Sequence, residues 1–168
     1  MKKSIIFLFT ILMMGCNSNN KFDDTDLIRL SEKDKLPINY TSNSTKQTID
    51  ALPFKVHLPK TLPKGFTPLK TDMISDINGD GKSLLVLFTS LGEETGEIFT
   101  IMINTKNARF TGESEKVTLK NDIEGLVSGG SLSFKLNGIT YLLDLIDYSE
   151  DENELNKQVI SIANQMIP

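Results

Sequence analysis

The sequence predicts an α+β fold, a single domain in which an antiparallel β-sheet meander is packed on one face by a carboxyl-terminal amphipathic helix. Two patterns carry that expectation. Between Ala51 and Ile146 short apolar runs alternate with Gly, Pro, Asn and Asp turn signals, and only after Ser149 do apolar residues recur at helical spacing. Size and composition agree: 168 residues, 39% hydrophobic and 24% charged, suffice for one core and are too apolar for a disordered chain.

Leu52–Pro59 is short and extended, and Pro53 and Pro59 confine it to an edge. Thr61–Phe66 reads as a turn. Phe66–Ile77 and Ser83–Leu91 then form a hairpin joined through Asn78-Gly79-Asp80-Gly81. Leu84–Phe88 is apolar at every position, which predicts a central strand covered on both faces. Gly92–Gly96 turns the chain into a strand over Glu97–Asn104. Val117–Leu119 and Ile123–Val127 flank Asn121-Asp122. Leu132, Phe134 and Leu136 alternate with Ser131, Ser133 and Lys135, the pattern of a half-buried strand, and Asn137-Gly138 is a preferred two-residue turn before Ile139–Ile146. Finally Leu155, Val159, Ile162, Ala163 and Met166 make one helical stripe. Ser149 with Glu152 has capping-box spacing, and Glu150, Asp151, Glu152 and Glu154 suit the positive end of the helix dipole.

Ahead of this domain the chain has a different character. Lys2 and Lys3 precede an apolar run, Ile5–Met14, broken only by Thr10. At helical rise that run covers roughly 15 Å, about half the thickness of a bilayer core, so it fits a secretory signal peptide and not a membrane span. Leu12-Met13-Met14-Gly15-Cys16 resembles the bacterial lipobox, with Met13 in place of the commoner Leu. That resemblance implies a diacylglyceryl group on the Cys16 thiol and cleavage just before it. Two chains are needed because each buried CH₂ contributes about 0.8 kcal/mol and one chain attaches only reversibly. Cys16 is the only cysteine, which excludes an intrachain disulfide or a Cys-rich zinc site. Loss of Lys2 and Lys3 takes the net charge from −4 to −6. Such an acidic balance argues against nucleic acid held on a broad basic surface.

The expected organisation is therefore a signal peptide over 1–15, a polar tether over 16–50 and the α+β domain over 51–168. Within the tether, Asp26–Ser31 reads as a brief helix or a short apolar tag.

Pro53-Phe54, Val56, Leu58-Pro59, Leu62-Pro63-Lys64-Gly65-Phe66 and Gly138-Ile139-Thr140-Tyr141 resemble a domain of unknown function. It occurs in extracytoplasmic lipoproteins, sporulation proteins and anti-sigma-like regulators of Gram-positive-type bacteria. The family is similar to half of a lipoprotein-carrier sheet, so the resemblance implies that the meander over Ala51–Pro168 is curved. It supplies no catalytic residues.

Other motifs point to chemistry less directly. Asp76, Asn78 and Asp80, with Gly81, match the opening of a calcium loop. The ninth and twelfth positions are Leu84 and Leu87, so the closing carboxylate is missing, and a hairpin turn accounts for every residue. Gly81-Lys82-Ser83 imitates the end of a P-loop, but Asp76 stands where its first Gly belongs and a carboxylate there repels phosphate. His57 is the only histidine and reads as an exposed strand residue; there is no second histidine for a metal triad. Glu93, Glu94 and Glu97 lie in or beside a Gly-bounded turn, where solvent leaves no buried acid of the glycosidase kind. Met73, Met102 and Met166 read as core residues without copper-binding spacing.

The expectation is a lipoprotein held at the outer face of the cell membrane through Cys16, non-enzymatic, with neither cofactor nor metal, whose domain binds a protein partner. The alternative is a carrier or sensor of a hydrophobic ligand, a lipid or lipoprotein, on the sheet face.

Overall fold

A computed structural model describes residues 21–33, 35–93, 96–106 and 113–168. Among the described residues, nine strands pair in one open, curved antiparallel sheet. The first meander contains β1 (Ile28–Arg29), β2 (Ile38–Thr41), β3 (Lys70–Asp76), β4 (Leu84–Leu91) and β5 (Ile98–Asn104). The second contains β6 (Glu115–Thr118), β7 (Glu124–Ser128), β8 (Ser131–Leu136) and β9 (Ile139–Ile146). Helix α1 (Thr45–Ala51) interrupts the first meander, and α2 (Glu152–Met166) follows the second. The spatial order is β1-β2-β3-β4-β5-β9-β8-β7-β6, so the two meanders meet where β5 lies against β9.

Strand alternation sorts the sheet into two unequal faces. On one, Val86, Ile103, Tyr141 and Phe134 stand side by side across four strands, followed by Phe88, Ile101, Leu143 and Leu132. All eight are buried. Their cover comes from three pieces of chain: α1, the irregular segment 52–69, and α2, whose Val159, Ile162, Ala163 and Met166 join the same cluster. Phe134 and Tyr141 stack at 5.3 Å between ring centroids, 11° from parallel. The Tyr141 hydroxyl accepts the His57 amide at 3.2 Å, which ties the irregular segment to the middle of the sheet.

The carboxyl-terminal helix is placed by polar side chains as well as by its stripe. Asn156 Oδ1 accepts the Gly130 amide at 2.9 Å, and Asn164 Oδ1 accepts the Lys120 amide at 2.7 Å. Gln165 Oε1 accepts both the amide and the hydroxyl of Thr61. Gly130 is required here: its φ is +81°, and a Cβ would lie 2.5 Å from the Leu145 carbonyl. The helix starts two residues later than the Ser149 capping box predicts. Asp151 caps it by accepting the Glu154 amide at 3.0 Å, while Ser149 is taken by a turn in which Asp147 accepts both its amide and its hydroxyl.

The expected α+β architecture is present, and four local expectations are corrected. Residues 22–51, expected to be tether, are part of the fold. Phe22 and Tyr40 pack edge to face at 5.6 Å inside the core, β2 pairs with β3, and Asp26–Ser31 contributes the short strand β1. Helix α1 lies within the stretch expected to be tether, with Ser44 capping it and Thr48 buried against Thr71 at 2.7 Å. Leu52–Pro59 is extended but pairs with no strand. Strand β4 is central but fully buried on one face only; Leu85, Leu87 and Thr89 on the other are half-exposed.

Because Phe22 closes the core beneath Tyr40, Phe22→Ala should destabilise the protein by about 3 kcal/mol, the lower end of the cost of such a cavity. Urea unfolding of the two proteins measures it. A tether residue would leave the midpoint unchanged.

Candidate functional site

The second face of the sheet is partly open to solvent. Ladder register places Met73, Leu87, Met102 and Leu142 in one row across β3, β4, β5 and β9, all of them half-buried. Ile98 and Ile146 extend the apolar area toward Leu91 at one end of the sheet. Beyond β9 the same row becomes polar at Ser133, and Ser131 donates to the Asp144 carboxylate beside it. Met73 and Met102 thus belong to this open face, whereas Met166 is in the core as expected. Flexible thioethers on an exposed apolar row adapt to differently shaped partners.

The opposite face leaves little room for a ligand. Leu84, Val86, Phe88, Phe99, Ile101, Ile103 and Leu143 have no exposed surface, and the chain's own helices and coil fill the space above them. A cleft of about 390 Å³ lies between β6, β7 and the start of α2, with Glu113, Glu115 and Glu152 at its rim. Another, of about 410 Å³, is bordered by Lys21, Phe22, Asp24 and Asp50. Polar and charged side chains line both. Among the described residues, no three His, Cys, Asp or Glu side chains converge on a point where they could hold a metal ion.

Asp76, Asn78 and Asp80 form a hydrogen-bonded turn. Buried Asp76 accepts the Gly79 amide on one carboxylate oxygen at 3.0 Å and the Gly81 amide on the other at 2.8 Å. Asp80 Oδ1 accepts the Lys82 and Ser83 amides, bonds that hold its carboxyl below the usual carboxylate range. Asn78 donates to the Ser83 hydroxyl at 2.9 Å. Gly79 and Gly81 both adopt positive φ, which the turn needs and other residues resist. Gly81-Lys82-Ser83 is the exit of this turn, not a phosphate cradle.

His57 departs from its sequence reading. It lies in the irregular segment 52–69, half-buried, and among the described residues its buried Nε2 has no hydrogen-bond partner. Burial, with a smaller push from Lys55, lowers its pKa from the ordinary 6.5. Glu93 is exposed, and Glu97 folds over Gly92 so closely that any Cβ there would collide with it. Glu94 lies outside the described residues, as does Cys16.

No protein-family model, curated protein or solved structure matches the chain.

Two outcomes follow for the turn and the histidine. Asp76→Ala strands two amides in a partly buried turn and should lower stability by about 2 kcal/mol. Calcium should leave the melting temperature of the wild-type protein unchanged, whereas a rise on adding calcium would mean that the turn carboxylates bind the ion. For His57, the folded state prefers the neutral ring, so the unfolded chain takes up the proton first. This contribution is whole above pH 6.5 and is lost as pH falls from there through the depressed folded-state value. His57→Gln cannot titrate, so unfolding midpoints compared at neutral and mildly acidic pH should drop less in the variant than in wild type.

Proposed function

We propose that this chain is a bacterial lipoprotein, anchored through diacylglyceryl-Cys16 at the outer face of the cell membrane, whose α+β domain is a non-enzymatic binding module. The observation that carries the anchor is the placement of the only cysteine directly behind an apolar run and a glycine. The start of the fold supports it. Phe22 is already in the core, so six residues after the anchor the chain is committed to a folded domain.

The binding reading draws on the contrast between the two sheet faces. One is sealed by the chain itself, and the other offers the row Met73, Leu87, Met102 and Leu142 to an apolar partner surface. A protein partner with a flat, partly apolar face suits such a row, because the row has breadth and little depth. The second reading, a carrier or sensor of a hydrophobic ligand, places a lipid on this same open row and not inside the filled core. A lipid held there would co-purify with the detergent-extracted protein and would be lost in Leu87→Glu, whereas a protein partner leaves the purified chain lipid-free.

Uptake of labelled fatty acid tests the anchor. Wild-type cells should yield a labelled protein in the membrane fraction, and Cys16→Ser should lose the label and leave that fraction. An unlabelled wild type, or a variant that keeps the label, overturns the proposal.

A further inference from the structure

Strongly exposed apolar side chains gather near the two ends of the sheet. Five large hydrophobic residues are strongly exposed among those described, and three of them, Ile28 (46%), Leu30 (58%) and Leu36 (60%), come before β2. The other two are Leu91 (55%) and Tyr148 (87%).

Leu36 and Leu30 lie at one end of the sheet, Leu91 and Tyr148 at the other, and Ile28 toward the middle. Leu36 leans on the turn between β3 and β4, with its Cδ2 3.0 Å from where a Gly79 Cβ would stand. Leu30 is bonded to Asn39, which pairs with Ser75, one residue from the same end. Ile28 pairs with Thr41, two residues further along the strand direction. At the far end, Leu91 pairs with Ile98 and Ile98 with Ile146, and the Tyr148 ring lies against Gly96. Strand β4 has eight residues between the two ends, a span of roughly 25 Å.

On the lipid-anchor reading, the tether enters the described fold at the first of these ends. Phe22, the first core residue, packs on that same β3–β4 turn, its Cβ 3.2 Å from where a Gly81 Cβ would stand. From Cys16 to Phe22 there are six Cα–Cα steps, which reach at most about 20 Å even when fully extended. On the lipid-anchor reading, the end carrying Leu36 and Leu30 stays within tether reach of the lipid surface, whereas the Tyr148 end, the length of β4 further on, has no such restraint. Apolar side chains held at an interface insert into it, because the free energy of insertion grows with the apolar area removed from water.

We infer that the β1–β2 hairpin is a second, non-covalent membrane contact, in which Leu36 and Leu30 enter the headgroup–acyl boundary of the anchoring bilayer and orient the domain with its Tyr148 end outward. The inference rests on the lipid-anchor reading and adds an orientation to it. Its occupant is the bilayer surface, chosen over a second copy or a protein because the short tether keeps this end at the lipid. Arg29, Lys33 and Lys35 are matched in this stretch of sequence by Asp26, Glu32 and Asp34, so the hairpin is neutral and the contact rests on its apolar side chains.

The single cysteine makes the test direct. Once Cys16 is acylated, Leu36→Cys, Leu30→Cys, Ile28→Cys or Tyr148→Cys each supplies the only free thiol for an environment-sensitive fluorophore. These sites are exposed, and far-UV circular dichroism verifies the fold of each variant. The full mature lipoproteins, purified with their acyl chains, go into vesicles of phosphatidylcholine and phosphatidylglycerol with a doxyl-lipid quencher. The expected result is a loss of fluorescence greatest at Leu36, smaller at Leu30, smaller again at Ile28 and absent at Tyr148. Equal quenching at Leu36 and Tyr148 in a fatty-acid-bearing protein overturns the orientation while leaving the anchor intact. A blue shift at Leu36 without doxyl quenching assigns the hairpin to a protein surface or a second copy, and also overturns it. Absence of fatty acid in the wild type overturns the anchor and the orientation together.

Discussion

Pairing of β5 with β9 is the contact on which the rest of the structure depends. Ile98–Asn104 runs against Ile146–Thr140 through seven residue pairs, joining the two meanders. Neither half has a complete core alone. The buried rows cross this seam, Val86 and Ile103 on one side meeting Tyr141 and Phe134 on the other. The loop-closure entropy of bringing β5 and β9 together is offset by the apolar area those rows remove from water.

Once the seam is formed, the alternation of strands leaves no freedom in the two faces. Large apolar residues fall on the side where α1, α2 and the irregular segment 52–69 can cover them, and the mixed row falls on the other. Tyr141 links these consequences: it stacks on Phe134 within the sheet and accepts a bond from the segment carrying His57 above it. Burial of the histidine ring, with no partner for Nε2 among the described residues, follows from that placement. The lowered pKa of His57 and the sealing of the core face therefore share one cause.

Much of the architecture was legible in local sequence. Asn137-Gly138 announces the β8–β9 turn, Asn78–Gly81 the β3–β4 turn, and the stripe from Leu155 to Met166 the final helix, since each depends on residues adjacent in the chain. The amino-terminal addition to the sheet was not legible. Residues 22–51 are polar and mixed in charge, and their membership depends on isolated side chains, Phe22, Tyr40 and Thr48, buried by elements far along the chain. Likewise the apolar run Leu84–Phe88 reads as doubly covered, because composition cannot tell a covered face from one that stays open. Asp151 displaced Ser149 as the helix cap for a related reason: Ser149 is satisfied by Asp147, an alternative turn that spacing alone does not rank.

The candidate surfaces divide in the same way. Cys16 stands out in the linear sequence because a processing signal is a contiguous pattern, and the turn chemistry of Asp76, Asn78 and Asp80 is local for the same reason. The row of Met73, Leu87, Met102 and Leu142 has no sequence signature, being assembled from four strands by register. Nor does any local pattern show that Phe22 and Leu36 lean on one turn while Tyr148 sits at the other end of the sheet. By itself the sequence determined the α+β class, the turns, the closing helix and the expectation of a lipid anchor, all of which are encoded by neighbours in the chain. Which face stays open, whether residues 22–51 join the fold and which end lies nearest the tether were decided only by tertiary structure, because each depends on strands that meet across long stretches of sequence.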